Sequence, residues 1–267
     1  MELGGVVARA ARDAGRRTAD RPSHVGSDGL RVCDVCGEPL ECRKTYRGRT
    51  LTLPCACACD RVFVDEFADD LKRRARDAAR ARCFTSRAAW GHTFEDDDGG
   101  SGDAMETCRR WAERQVGEGN GFGLVLHGAP DAGKTYAADC IANHLLDNGV
   151  AVVSRSTPWV LGRPYDETHA VIQTLSSAPV AVIDDLGAER ATAYGQEVVY
   201  SIVDNRYRDG LPTIVTTNLG PDEMGGDVKA ERVWNRLLER CLPVEFATGR
   251  KRYRQSTHAQ MMAELFG

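Results

Sequence analysis

The sequence predicts an α/β domain, a three-layer sandwich on a parallel five-stranded sheet, preceded by a small cysteine module and a helical linker. Three observations carry that expectation. Apolar runs at 122–127, 150–154, 179–183, 212–216 and 243–246 alternate with helical patterns at about 134–147, 158–176, 194–209 and 229–241. That is the order parallel strands with right-handed crossovers require. The run Gly128-Ala-Pro-Asp-Ala-Gly-Lys-Thr135 joins the first strand to the first helix, and six of the ten cysteines fall between residues 33 and 59.

Composition narrows the function classes. The 267 residues have room for a medium domain and a small module. A net charge of −4 excludes a protein that coats nucleic acid by bulk charge, so such contact must be local. No apolar run approaches the roughly 20 residues needed to span a bilayer. The start, Met1-Glu-Leu-Gly-Gly-Val-Val-Ala-Arg9, lacks a signal-peptide core, so a cytoplasmic protein is expected.

In chain order, residues 1–30 read as a flexible lead-in and 31–61 as a metal-binding module. A reducing compartment disfavours disulfides. Cys33-Asp-Val-Cys36-Gly37 forms one half of a zinc knuckle, and Cys55, Cys57 and Cys59, on one face of a strand, compete for the remaining two places. Cys42 lies between, while Cys83, Cys108, Cys140 and Cys241 read as small buried hydrophobes. Four thiolates would close a structural zinc site.

Residues 62–103 read as a linker: a helix over about 62–82, then an acidic, glycine-rich loop at 95–102. The helix carries Lys72, Arg73, Arg74, Arg76, Arg80 and Arg82, which read either as a solvated face or as a phosphate- or partner-contacting element. A helix at about 104–117 opens the core, 104–256, and 257–267 form a tail.

Within the core, 128–135 match G-x-x-x-x-G-K-[ST]. A strand, a glycine-rich turn and a helix N-terminus aim backbone N–H groups and the helix dipole at one point, which makes a polyphosphate site. Gly128, Ala129, Pro130, Asp131, Ala132, Gly133, Lys134, Thr135 and the following Tyr136 are the candidate nucleotide contacts. Lys134 would bridge the β- and γ-phosphates, and the Thr135 hydroxyl would ligate Mg²⁺.

Downstream, Val180-Ala-Val-Ile-Asp-Asp-Leu-Gly187 is an apolar strand ending in acids. Asp184 would hold Mg²⁺ through water, and Asp185 would orient or deprotonate an attacking water. Glutamate is more usual at the second position. The shorter Asp185 implies slow turnover, with Glu189 as a weak substitute. The strand Pro212-Thr-Ile-Val-Thr-Thr-Asn218 ends in polar residues where parallel sheets place ligands, making Asn218 a candidate γ-phosphate sensor. Arg232 and Arg236 sit at i and i+4 on the last helix, and Gly249-Arg-Lys-Arg-Tyr-Arg254 closes the core.

Together, Gly128 to Tyr136, Ile183-Asp-Asp-Leu-Gly-Ala-Glu-Arg190, Ile202-Val-Asp-Asn-Arg-Tyr-Arg208 and Thr216-Thr-Asn-Leu219 resemble bacterial and phage replicative helicase loaders of the DnaC/DnaI type, which are AAA+ ATPases. The resemblance spans roughly 88–255, and a cysteine-rich module before the core is also typical. It implies a AAA+ core of the P-loop NTPase class without a C-terminal lid domain. It implies that Arg236 is an arginine finger reaching the ATP of a neighbouring subunit, so that the chain self-associates. Arg252 or Arg254 would be a second γ-phosphate sensor in cis. Thr192 and Tyr194 would contact single-stranded DNA, with Tyr194 stacking on a base. Such loaders end their module in Cys-x-Cys followed by an acid, which favours Cys57 and Cys59 as the last two zinc ligands.

The resemblance thus implies ATP, Mg²⁺ and Zn²⁺ as cofactors and a hexameric replicative helicase and single-stranded DNA as partners. The main rival is a transposition helper ATPase of the IstB type, which binds duplex DNA and a transposase. A small-molecule kinase fits less well, because paired acids with a downstream asparagine suit water activation.

Overall fold

The computed structural model describes residues 22–46, 49–97, 102–187, 192–220, 223, 228–247 and 262. The chain divides into two compact units between Ala75 and Arg76, inside a single helix.

The first unit starts with two antiparallel ribbons. Strands β1 (Ser23–Val25) and β2 (Arg31–Cys33) pair across a turn with Gly29 at φ 76°. Strands β3 (Glu41–Tyr46) and β4 (Arg49–Pro54) pair next. Residues 22–30 therefore belong to the module and not to a lead-in, because their backbone groups pair with β2. Helix α1 (Ala58–Cys83) follows. It begins earlier than its apolar pattern suggested, and Cys59 sits in its first turn.

The second unit opens with the end of α1 and a 3₁₀ turn, Ala88–Gly91. Then come α2 (Gly102–Gly117), β5 (Gly123–Gly128), α3 (Lys134–Asp147), β6 (Val152–Ser156), α4 (Thr157–Leu161) and α5 (Tyr165–Ser177). The chain continues through β7 (Val180–Leu186), α6 (Ala193–Asp209), β8 (Thr213–Thr217), α7 (Val228–Arg240) and β9 (Cys241–Phe246). The five strands form one all-parallel sheet in the order β6-β7-β8-β5-β9. All five expected strands and the helices between them are present. The pattern at 158–176 splits into α4 and α5, because Gly162 and Pro164 interrupt the helix.

Alternation along the strands makes the three layers. Leu124 and Leu126 of β5 join one buried cluster with α2 and α3, while Val125 joins the opposite cluster with α6 and α7. Cys83, Phe84, Ala89 and Phe94 belong to the first cluster. The second half of the expected 62–103 linker is thus part of the core, held there by apolar burial.

A polar stripe on α3 binds the preceding segment. The Tyr136 hydroxyl donates to Thr93 O, Asp139 meets His92 Nδ1 at 2.9 Å, and Asn143 Nδ2 donates to Ala89 O and His92 O. Arg80 donates to Asn143 and pairs with Asp147 at 2.8 Å. Spacings of three and four residues place these side chains on one helical face.

The basic residues of α1 are locally matched. Lys72 pairs with Asp69, Arg73 and Arg74 with Asp70, and Arg76 with Asp147, while Arg82 Nε donates to Ala78 O. These partners favour the solvated-face reading. No helix among the described residues is long and apolar enough to cross a membrane.

Candidate nucleotide site and cysteine cluster

The loop at 128–133 depends on backbone freedom at its ends. Gly128 has φ 135°, and a β-carbon there would lie 2.3 Å from Phe246 O. Gly133 caps α3 at φ 98°, a conformation that penalises any side chain. These two positions deliver the N-terminus of α3 to the carboxyl end of the sheet.

Lys134 is buried, and its ammonium donates to Gly128 O at 2.8 Å, Ala129 O at 2.7 Å and Asn218 Oδ1 at 2.8 Å. An ammonium has three protons, so all are matched, and a phosphate must displace at least one of these acceptors. Burial draws the Lys134 pKa down, opposed by Asp185, Asp184 and Asp131. The Thr135 hydroxyl donates to Asp184 Oδ1 at 2.9 Å, so the two candidate Mg²⁺ ligands are already adjacent. A hydroxyl and a carboxylate oxygen are the hard donors that Mg²⁺ takes.

Consecutive strand residues ordinarily face opposite sides of a sheet. The chain avoids this with a β-bulge. Ile183 pairs with Val215 and Leu186 with Thr217, so Asp184 and Asp185 together oppose the single residue Thr216. Asp185 takes the left-handed region at φ 56°, and a bulge re-aims side chains in this way. Both acids then act electrostatically on Lys134. The Asp185 pKa is raised, first by burial and then by Asp184, with Lys134 opposing. A carboxyl with a raised pKa is a stronger base than an ordinary carboxylate. The sequence reading placed both acids at the site without recognising the bulge that allows it.

Four of the predicted residues therefore converge with Lys134: Thr135, Asp184, Asp185 and Asn218. Tyr136 instead reaches back to Thr93 and lies against the His92 ring at 4.7 Å. Arg252, Arg254 and Glu189 lie outside the described residues.

Arg236 is occupied within its own chain. Its Nη1 lies 2.5 Å from Asp204 Oδ1, and its guanidinium covers the Tyr200 ring at 4.8 Å. Arg208 holds the other Asp204 oxygen at 2.5 Å. Arg206, from the same motif, is 1% exposed. It donates to Leu175 O, Ala178 O, Pro212 O and Thr213 Oγ1 within 2.9 Å, which makes it a structural clamp.

Thr192 has a structural task as the N-cap of α6, accepting from Gly195 N at 3.0 Å. Tyr194 is 39% exposed, and its ring lies 6.2 Å from that of Tyr165, which is 78% exposed. The sequence reading missed Tyr165. No motif marks it, and only the fold sets the start of α5 beside the start of α6.

In the first unit, the thiols of Cys33, Cys36, Cys57 and Cys59 lie within 4.8 Å of one another, and none of them forms a disulfide. Tetrahedral zinc–thiolate bonds of about 2.3 Å separate sulfurs by roughly 3.8 Å, so the set fits a closed Cys₄ site. Cys36 is drawn down to about 6, chiefly by the Glu38 N–H, while its hydrogen bond pushes Cys59 up to about 12. The strand expected through 55–59 is absent. Strand β4 stops at Pro54, and Cys57 and Cys59 reach the cluster from the turn into α1. Cys55 Sγ instead donates to Leu53 O at 3.9 Å, and the neighbouring Cys42 raises its pKa. Leu40 alone joins the cysteines in that cluster's buried core among the described residues.

No protein-family model matches the chain. Over 152 residues it is 28% identical to the replicative helicase loader DnaI of Bacillus subtilis, covering 51% of this chain and 49% of that protein. A crystal structure of DnaI superimposes with a TM-score of 0.53 at 29% identity, covering 61% of this chain and 92% of that one. The chain is similar to the DnaI and DnaC helicase loaders. DnaC of Escherichia coli is 27% identical over 145 residues, 52% of this chain and 58% of that protein. The chain thus spans about half the length of the curated relatives it matches. An ATP-binding protein in an insertion sequence of Mycobacterium tuberculosis is 25% identical over 186 residues, 64% of this chain and 72% of that protein. The second unit has the α/β P-loop AAA+ fold. DnaA of Aquifex aeolicus, at 16% identity and TM-score 0.51, shares that fold.

Proposed function

We propose that the chain binds and slowly hydrolyses ATP and uses that cycle to load a hexameric replicative helicase onto single-stranded DNA. The observation carrying this reading is the bulge that aims both Asp184 and Asp185 at Lys134, with Asn218 on the same ammonium. The paired acids with Asn218 downstream support water activation over transfer of phosphate to a metabolite.

In this reading the loop N–H groups and Lys134 hold the phosphates. Lys134 exchanges a loop carbonyl for a phosphate oxygen, and Asn218, released from Lys134, senses the γ-phosphate. Thr135 and Asp184 would hold Mg²⁺, which supplies charge neutralisation of the phosphates. Asp185 orients a water in line and takes its proton. Arg236 completes the site of a neighbouring copy, and Arg252 or Arg254 contacts the γ-phosphate in cis. Tyr194, with Tyr165 beside it, offers stacking faces to single-stranded DNA. Zinc on Cys33, Cys36, Cys57 and Cys59 supplies folding energy to a module with little apolar core, and that module grips the helicase.

The test is the ATP hydrolysis rate with and without single-stranded DNA and a hexameric replicative helicase. Stimulation by both supports the reading, and phosphorylation of a metabolite by the lone chain would sink it. The insertion-sequence relative supports a second reading, a transposition helper acting on duplex DNA. Pull-down of a transposase in place of a helicase would favour that alternative.

A further inference from the structure

We propose that Thr216 is the positioning residue that sets the two acids, through one hydroxyl that serves both. This inference rests on the nucleotide-site reading and adds a residue to it. Thr216 Oγ1 donates to Asp184 Oδ1 at 2.6 Å and accepts the Asp185 N–H at 2.9 Å. The residue is fully buried on the central strand β8, and it is the one residue that the bulged pair opposes.

A bulge leaves part of the backbone ladder unpaired. Here the side chain of the opposing residue takes the role the ladder has lost. The Asp185 N–H, turned out of register by φ 56°, finds the Thr216 oxygen. The same hydroxyl spends its proton on Asp184. That bond fixes one of its oxygens beside Thr135, which donates to the same atom. The hydroxyl therefore does two things at once. It holds the turned-out backbone of Asp185, and it keeps Asp184 oriented as a candidate Mg²⁺ ligand. Serine could do both; valine and alanine could do neither.

The experiment compares Thr216→Ser, Thr216→Val and Thr216→Ala in the full chain by two readouts. The first is binding of a fluorescent ATP analogue across a Mg²⁺ titration. The second is the hydrolysis rate across ATP concentration. Valine is nearly isosteric, and alanine covers the case in which branching disturbs the strand. For Val and Ala we expect unchanged nucleotide affinity without Mg²⁺ and a several-fold rise in the Mg²⁺ concentration for half-effect. The hydrolysis rate should fall about tenfold or more with little change in KM. Serine should stay within about twofold of wild type. Wild-type Mg²⁺ dependence in both hydroxyl-free variants would overturn the proposal. If the wild type fails to hydrolyse ATP while the Mg²⁺ shift appears, the hydrolysis reading falls and the positioning role stands.

Discussion

Replacing Arg236 by alanine separates two roles that a simple activity loss would confuse. In the lone subunit the guanidinium meets Asp204, which is 4% exposed, and covers Tyr200. Breaking a buried ion pair by removing one partner costs about 3–5 kcal/mol. Here Arg208 still holds the other oxygen, and the Arg236 contact is not aligned as a hydrogen bond, which lowers the estimate to about 1–3 kcal/mol. Loss of the cation–π contact adds roughly 0.5–1 kcal/mol. Arg236→Ala should therefore destabilise by about 2–4 kcal/mol, moving the urea midpoint down by on the order of 1 M. Stability is read by urea denaturation and hydrolysis is measured well below the transition. If Arg236 also acts in trans, the variant should bind ATP yet hydrolyse it poorly. Mixing it with Lys134→Ala, which keeps its own Arg236, should then restore activity. An unchanged urea midpoint would refute the structural reasoning, and full hydrolysis by the folded variant alone would refute the finger.

The other predictions test separate parts of the molecule. Arg206→Met strands several buried carbonyls and should cost about 3–5 kcal/mol, read as a large fall in thermal midpoint; a small change would show that other donors replace it. Asp185→Asn should abolish hydrolysis while leaving stability near neutral pH equal or slightly higher. The raised pKa means the folded state binds the proton more tightly, so ionised Asp185 detracts from stability as pH climbs above the ordinary 3.8. For the same reason, wild-type hydrolysis should rise with pH through a midpoint above 3.8, measured as a rate profile. Chelation of zinc, or Cys57→Ser, should unfold the first unit by near-UV spectroscopy and leave ATP binding intact. Native alkylation should spare Cys83, Cys108 and Cys241, whose burial pushes each thiol up to about 12; rapid labelling of all three would contradict the core assignment.

What was legible in the sequence follows from how far each signal reaches along the chain. The strand–loop–helix at 123–147 is local, since apolar alternation, two glycines and a helical stripe occupy adjacent residues. Cys33 and Cys36 were legible from their spacing, whereas Cys57 and Cys59 were separable from Cys42 and Cys55 only by resemblance. Their segregation depends on where β4 stops and α1 begins, which spacing alone does not fix. Nothing in the sequence signalled that Arg236 meets Asp204 and Tyr200, because these partners lie on another helix. Tyr165 carried no signal for the same reason.

The bulge shows why pairwise motifs understate this site. Ile-Asp-Asp-Leu read as an ordinary strand would turn one acid's side chain to the face opposite Lys134, where burial is costly. The alternative requires a non-glycine residue in the left-handed region, which costs about 1 kcal/mol and is best tolerated by Asp or Asn. It also requires a partner for the displaced N–H, whose burial unpaired would cost about 1–3 kcal/mol. Asp at 185 lowers the first cost and Thr at 216 removes the second. The two residues are 31 positions apart. Glutamate at 185 lacks the short side chain that makes the left-handed region accessible, so Asp185→Glu should gain reach toward water but lose the bulge. A Glu variant that hydrolyses faster, with unchanged Mg²⁺ dependence, would show that the bulge does not depend on Asp.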